Sequence, residues 1–535
     1  MNTSADNAPS IRRIASAARV VGAGTLASRV LGFVRDMAFA WLFGTGMVGD
    51  AFFAAFRIPG TLRELLAEGA LSVVFVPAFT RTLTREGRAA TWSLAGKVLG
   101  TLLAVLAGVT AIGVVAAPHI AALMAYGFSA VPGKLALTAT LLRIMFPYLF
   151  LVGCAALFMA VLNACGHFLA PALSPVVLNL CIIAAAVGIA PRSAHPALVI
   201  AVAVLVGGVG QLGLQLWAAW TLGWRPALRF SPHDPAVHAI GRLMLPGVGG
   251  LAVTQVNVLV GTLLASFLPE GNVAAMTYAF RLVQFPIGVV GVAIATGALP
   301  VLAAAVAREA GGDYARALTA SLRMAIFLTL PAMAGLIVFR TQIVAVLFER
   351  GAFARPATLL TASILAAYAA GLLFYVANRI LAPAFYSLQD TWTPVTTGAV
   401  SVAVNAAASL VLMPAFGAVG IALATALASG VNCLQLVVRL RRRFVAIGGG
   451  VLWAGGKAAV ATLSILAISL LGHLAGAEFS DGSAPMRAVF LFGQLVCAAG
   501  LFLLCARLLQ CEELEWALKL FRKRRPQIDK VWQNW

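Results

Sequence analysis

Apolar runs of about twenty residues, the length a helix needs to cross a hydrocarbon layer of about 30 Å, recur between Gly, Pro and charged breaks from residue 18 to residue 510. They fall near 18–44, 48–80, 96–117, 136–163, 168–190, 197–222, 244–268, 274–306, 324–347, 357–386, 394–413, 418–438, 451–472 and 488–510. The expected fold class is therefore an all-α polytopic membrane protein with about 14 transmembrane helices.

The formal net charge is +20, yet the basic residues fall in short runs between apolar segments, with no compact basic domain and no stacking platform. That pattern excludes a nucleic-acid partner and fits membrane topology. One alternating set of loops, with the tail, holds 23 Lys and Arg against five in the opposite set, namely Lys134, Arg192, Arg350, Arg355 and Arg487. Both termini are expected in the cytoplasm, which requires an even number of spans. Arg12 and Arg13 resemble the start of a signal peptide, but the apolar stretch after them runs on through Arg29 and Arg35, so the first helix is read as uncleaved. The seven cysteines sit in or beside apolar segments without CxxC spacing and read as small core residues. HExxH and P-loop motifs are absent and the six histidines are scattered, so neither catalysis nor a metal or cofactor is expected. The segment EELEWALKLFRKRRPQ near the C-terminus suits either an interfacial helix on an anionic leaflet or a plain cytoplasmic anchor.

A repeat rests on the less common residues. AFFAAFRIPGTLRELLAEGALSVVFVPAF at 51–79 and MTYAFRLVQFPIGVVGVAIATGALPVLAAA at 276–305 share AFR, a nearby proline, then GAL and a further proline. VLNACGHFLAPALSP at 161–175 is echoed more weakly by ILAPAFYSLQDTWTP at 380–394. The simplest organisation is a cytoplasmic segment 1–17, two pseudo-symmetric six-helix lobes at 18–222 and 223–443, a helix pair within 444–510, and a basic cytoplasmic tail 511–535. Halves of this kind are a usual transporter plan, with substrate held near the midplane and access alternating as the halves rock.

Charge inside the apolar runs points to what is transported. Residues 28–69 carry Arg29, Arg35, Asp36, Asp50, Arg57, Arg63, Glu64 and Glu68. An ionised side chain near a bilayer centre costs about 2.5–3.5 kcal/mol on insertion scales, so such groups face a bundle interior or a wet cavity. Helical spacing puts Ser28, Arg29, Gly32, Arg35 and Asp36 on one stripe. Arg281, in MTYAFRLVQFPIGVVGV, has no adjacent acid, and Pro286 can open the helix five residues later. Guanidinium groups match phosphate oxygens, so Arg29, Arg35 and Arg281 are read as contacts for an anionic, phosphate-bearing ligand. The acids either tune that cluster or neutralise the arginines in a buried lattice, and Arg57 and Glu64 suit the lattice as well as any other role.

The segments SRVLGFVRD (28–36), GDAFFAAFRIP (49–59), LLAEGALSVVFVPAF (65–79), YAFRLVQFPIGVVGVA (278–293) and LAPAFYSLQDTWTPV (381–395) resemble the signature segments of the MurJ, or MviN, family of lipid II flippases, in the multidrug/oligosaccharidyl-lipid/polysaccharide exporter superfamily. The resemblance implies a bacterial inner-membrane protein that moves undecaprenyl-pyrophosphate-linked disaccharide-pentapeptide from the cytoplasmic to the periplasmic leaflet. It maps the family's cavity arginines onto Arg29, Arg35, Arg63 and Arg281 and its important acids onto Asp36, Asp50 and Glu68; Ser28, on the same helical stripe as Arg29 and Arg35, is counted with the substrate-binding residues. It assigns the lipid-tail groove to the helix pair in 444–510. Gly60 and Glu64 stand where the family usually has Asn and Arg. The implied partners are lipid II and membrane lipids, with a coupling ion or the membrane potential left open. The alternative is a cation-coupled multidrug or other lipid-linked oligosaccharide exporter of the same superfamily, whose cavity would be expected to carry carboxylates and aromatics rather than lone arginines.

Overall fold

The computed structural model describes residues 7–63, 71–224, 228–443, 450–474 and 484–522, and every regular element among them is a helix. The chain divides into two compact units, Met1–Ala274 with Arg350–Ala354, and Ala275–Glu349 with Arg355–Trp535.

The first unit contains α1 (Asn7–Phe43), α2 (Met47–Arg63), α3 (Leu71–Met124), α4 (Lys134–Met145), α5 (Tyr148–Ala164), α6 (Leu169–Ala184), α7 (Pro196–Thr221) and α8 (Pro235–Ser266). α3 is two helices joined at Gly87, whose φ of 82° and ψ of −178° are open only to glycine. The break falls between the expected spans 48–80 and 96–117. α1 packs on α6, α6 on α7, α2 on α4, and α3 on α5 and α8. Association in lipid relies on close van der Waals contact between small residues. A Cβ on Gly24 of α1 would stand 2.6 Å from the Cβ of Ala172 on α6, so only glycine permits that crossing. Aromatic side chains fill the interior, with Phe158 edge-on to Trp224 at 5.0 Å.

The second unit takes α9 (Asn272–Pro286) beyond its first turn, then α10 (Val292–Ala307), α11 (Gly311–Val338), α12 (Arg340–Phe348), α13 (Arg355–Ala370), α14 (Leu372–Ser387), α15 (Trp392–Phe416), α16 (Ala418–Arg443), α17 (Val451–Leu474), α18 (Ala484–Leu508) and α19 (Glu512–Arg522). Pro286 is followed by a widened π-type turn at Ile287–Gly291, the local opening of the helix that its sequence position suggested. α15 and α16 form a tight hairpin in which the carbonyl of Leu412 would meet any Cβ on Gly420. α17 lies on α11, and α18 on α17. At the start of α18, Arg487 donates to Glu349 at 3.0 Å, and that carboxylate also accepts from Thr358 at 2.7 Å. The helix pair is thereby fastened to the unit by charge as well as by packing.

Among the described residues, ten helices are long and apolar enough to cross a membrane, and α13 with α14, bent by 44°, makes an eleventh. α1 and α2 are outside that count and bring most of the intramembrane charge. The protein is a multi-pass helical membrane protein, and α1, α2 and α9 carry the charged residues that the sequence singles out.

Candidate functional site

The stripe on α1 takes its shape from α6. Arg35 donates through Nε and Nη2 to Oδ1 of Asp36, at 3.1 and 2.8 Å, and through Nη1 to Oδ1 of Asn179 at 3.1 Å. The Asn179 amide in turn donates to the Ser28 carbonyl at 3.2 Å. Gly32 lies between these partners, and a Cβ there would already be 3.7 Å from the Asn179 nitrogen. The Phe39 ring, 5.8 Å from the guanidinium, completes the surround. One asparagine thus holds both the backbone of Ser28 and the head of Arg35. Arg29 lies on the same helix and is exposed.

Charge-assisted bonds to a fixed acceptor set the direction of a guanidinium, so Arg35 is a prearranged cation, with Arg29 exposed on the same helix. Asp36, only 5% exposed, offsets part of Arg35's charge without removing it from the stripe.

Asp50, at the start of α2, is more deeply placed than the α1 charges. It is 1% exposed and pairs with Lys134 of α4, also 1% exposed, at 2.8 Å. It accepts as well from the backbone N–H of Gly271 at 2.7 Å and of Ala274 at 2.8 Å. Gly271 has φ of 88°, and a Cβ there would strike the carbonyl of Thr45, so glycine is required for its amide to reach the carboxylate. The Lys134 ammonium stands 4.2 Å from the Phe128 ring centre, which supplies a second favourable contact for a buried cation. Every ionic and hydrogen-bonding need of Asp50 is thus met inside the first unit, which makes it a structural fastening first.

Lys134 was expected in a loop, and the structure buries it instead. It follows Pro132 and Gly133, so its sequence neighbourhood reads as a turn, and only the three-dimensional packing of α4 on α2 shows its role. Asn179 was not anticipated because it carries no charge. The signal was present nevertheless, as a lone amide within the apolar run LAPALSPVVLNLCIIA.

Arg57 and Arg63, both on α2, are partly buried. Glu64 and Glu68 lie outside the described residues. In the second unit, Arg281 of α9 is exposed and donates to Gln284, one turn further on, at 3.2 Å. The preceding Phe280 packs on Tyr368 and Tyr375, at 5.1 and 6.5 Å between ring centres. Among the described residues, no group of three His, Cys, Asp or Glu side chains is placed to hold a metal ion.

Comparison with known proteins gives one consistent answer. The family model described as lipid II flippase MurJ matches residues 39–490. A probable lipid II flippase MurJ of Rhizobium tropici is 37% identical over 456 residues, covering 84% of each chain. The lipid II flippase MurJ of Burkholderia cenocepacia is 35% identical over 423 residues, 78% of this chain and 82% of its own. Among solved structures, a lipid II flippase MurJ in an inward closed conformation superposes with a TM-score of 0.77 at 23% identity, over 91% of this chain and 98% of the other. A multidrug resistance MATE family transporter in an inward-facing conformation follows at 0.69 and 17% identity, over 78% of this chain and 95% of its own. At these identities the superpositions establish the fold.

Proposed function

We propose, from the premise that this chain belongs to the MurJ family of lipid II flippases, that it carries lipid II across the bacterial inner membrane from the cytoplasmic to the periplasmic leaflet. The observation that carries this reading at the level of chemistry is the α1 stripe, where Arg35 is held by Asp36 and Asn179 beside an exposed Arg29. A pyrophosphate cannot enter hydrocarbon uncompensated, because desolvating an ion costs several kcal/mol even after relaxation. Fixed guanidinium groups offset that cost and bind phosphate oxygens in pairs. Arg29, Arg35 and Arg63 of the first unit, with Ser28, and Arg281 of the second are assigned to the pyrophosphate, while Asp36, Asp50 and Glu68 tune the charge they present. The prenyl tail stays in lipid, with α17 and α18 assigned to its groove.

The chain is a transporter, and alternating access by the lobes 18–222 and 223–443 is the mechanism this reading assigns. Both termini are placed in the cytoplasm on the basis of the loop charges. Rocking a net positive cavity through the membrane field couples the cycle to the potential, which is worth about 2.3 kcal/mol per charge per 100 mV.

The test is reconstitution into vesicles with labelled lipid II, in which protease access to the basic tail reports orientation. The native chain is expected to translocate the lipid, and Arg29→Ala and Arg281→Ala to lose most of that rate while unfolding at the native temperature. Native rates in both folded variants overturn the site assignment. Transport of a cationic drug without lipid II overturns the substrate.

A further inference from the structure

Two neighbours of α6 decide where Asn179 stands. The run GGVGQ at 207–211 draws α7 close against them. A Cβ on Gly207 would lie 2.7 Å from Cδ1 and 3.1 Å from Cα of Leu178 on α6, and one on Gly208 would lie 2.8 Å from the Tyr148 ring of α5. Small residues let backbones approach in this way inside a membrane bundle. The approach places the Gln211 amide, 3% exposed, between the other two helices. Its Nε2 donates to the Ser174 carbonyl of α6 at 3.1 Å, and its Oε1 accepts from the Tyr148 hydroxyl at 3.1 Å.

Ser174 precedes Pro175, which has no N–H to give the Pro171 carbonyl and so interrupts the hydrogen-bond ladder of α6. A helix bends easily at such a place. α7 therefore grips α6 on both sides of the interruption, at Ser174 through Gln211 and at Leu178 through Gly207, and fixes the course of the turn between them. Asn179 is the next residue after that grip and is 4% exposed.

On the α1 side, the bond from Nδ2 to the Ser28 carbonyl settles which way the Asn179 amide faces, and Oδ1 then receives Nη1 of Arg35. Asp36 receives Nε and Nη2. Among the described residues, these bonds leave one N–H on each Nη atom of Arg35, and 13% of its side chain is accessible. Paired N–H groups are what a guanidinium offers to phosphate oxygens. A carboxylate at position 179 would also hold Arg35 but, with Asp36, would cancel its charge. An amide orients the guanidinium and leaves the charge in place.

We infer that Asn179, braced by Gln211, is a positioning residue for the anionic ligand: it turns Arg35 so that the remaining Nη N–H groups meet a phosphate and, being neutral, leaves the positive charge to that ligand. This rests on the reading that Arg35 meets the pyrophosphate.

The experiment measures equilibrium binding of fluorescent lipid II to the full chain in nanodiscs, together with the unfolding temperature of each variant. Asn179→Leu keeps the volume and removes both bonds, and is expected to weaken binding about tenfold, the worth of one hydrogen bond to a charged group. Asn179→Asp keeps an acceptor but adds a second negative charge, and is expected to bind more weakly still. Gln211→Leu with Tyr148→Phe removes the brace without orphaning the tyrosine hydroxyl, and is expected to weaken binding by less than Asn179→Leu does. The decisive readout is a double-mutant cycle. In an Arg35→Ala/Asp36→Asn background, which removes the guanidinium together with the carboxylate it neutralises, Asn179→Leu is expected to change binding by less than about twofold, whereas a merely structural residue costs the same in both backgrounds. A full loss in that background overturns the proposal, as does native binding by folded Asn179→Leu, Asn179→Asp or Gln211→Leu/Tyr148→Phe chains. Native binding by the Arg35→Ala/Asp36→Asn chain itself overturns the underlying assignment of Arg35, and the proposal with it.

Discussion

Asp50 and Lys134 are 84 positions apart in sequence and 2.8 Å apart in space, both almost wholly removed from solvent. Removing one partner of a buried ion pair leaves an uncompensated charge and costs about 3–5 kcal/mol, whereas replacing both by apolar or neutral groups is far less damaging. Lys134→Ala and Asp50→Ala are therefore each expected to lose stability on that scale in detergent unfolding titrations, and Asp50→Asn/Lys134→Met to recover much of it. If the double variant is as unstable as the sum of the singles, the two residues are not coupled. Arg29 marks the contrast. It is exposed, so Arg29→Ala is expected to leave stability within about 0.5 kcal/mol of native while transport falls. The residues differ in how far sequence discloses them. Asp36, Asp50 and the arginines are visible as charges inside apolar runs, but nothing local separates a buried fastening such as Asp50 from an exposed charge such as Arg29, proposed as a ligand contact. Lys134 is masked by its turn-like neighbours, and Asn179 by its neutrality, although it orients Arg35 directly.

At the level of elements, the connection from α7 to α8 shows how a loop becomes part of the frame. Residues 228–234 lie along α3, where Arg229 N–H donates to the Gly96 carbonyl at 3.3 Å and Lys97 meets Asp234 at 2.6 Å. A Cβ on Gly100 would be 2.5 Å from the Arg229 carbonyl oxygen, so the strap requires glycine beneath it. Asp234 also caps α8 by accepting from Ala236 N–H at 3.0 Å. The hydrogen bond from Lys97 chiefly holds the Asp234 carboxyl below the ordinary carboxylate range. Because the folded value is the lower one, the bond stabilises the strap above the unfolded carboxylate value of about 3.9 and is lost as pH falls through the folded value. Amide hydrogen exchange of residues 228–234, divided by the intrinsic rate at each pH, is thus expected to be protected near neutrality and to lose protection in acid, and in a Gly100→Val background to be unprotected throughout. A protection factor that is independent of both would show that the strap is not held. Hydrophobic periodicity exposed the long elements and the break now located at Gly87, since each depends on local composition. It could not expose the strap, which depends on a glycine and a lysine of α3 meeting a loop more than 100 residues later.

For the whole molecule, the decisive quantity is net charge moving in a field. The residues proposed for the pyrophosphate are Arg29, Arg35, Arg63 and Arg281, against Asp36 and Asp50 among the described acids proposed to tune them, and Asp50 is already neutralised by Lys134. A carrier built on carboxylates would move a cation with its charge masked. One built on a surplus of guanidinium groups over carboxylates moves an anion and returns empty with a net positive charge. An interior-negative potential assists whichever step draws that charge inward, by about 2.3 kcal/mol per full charge per 100 mV. In vesicles with native orientation, a potassium-diffusion potential of about −100 mV inside is expected to raise lipid II turnover by up to about fiftyfold if one full charge crosses the field in the limiting step, and by less if only part of the field is traversed. Arg29→Lys keeps the charge and is expected to keep that voltage dependence while binding less well, because ammonium lacks the paired geometry of guanidinium. Arg29→Gln removes one of the net positive charges and is expected to reduce it. Turnover that is independent of voltage in native, Lys and Gln chains alike would mean that the arginines bind the head group without carrying charge through the field, leaving the cycle to be driven by a coupled ion.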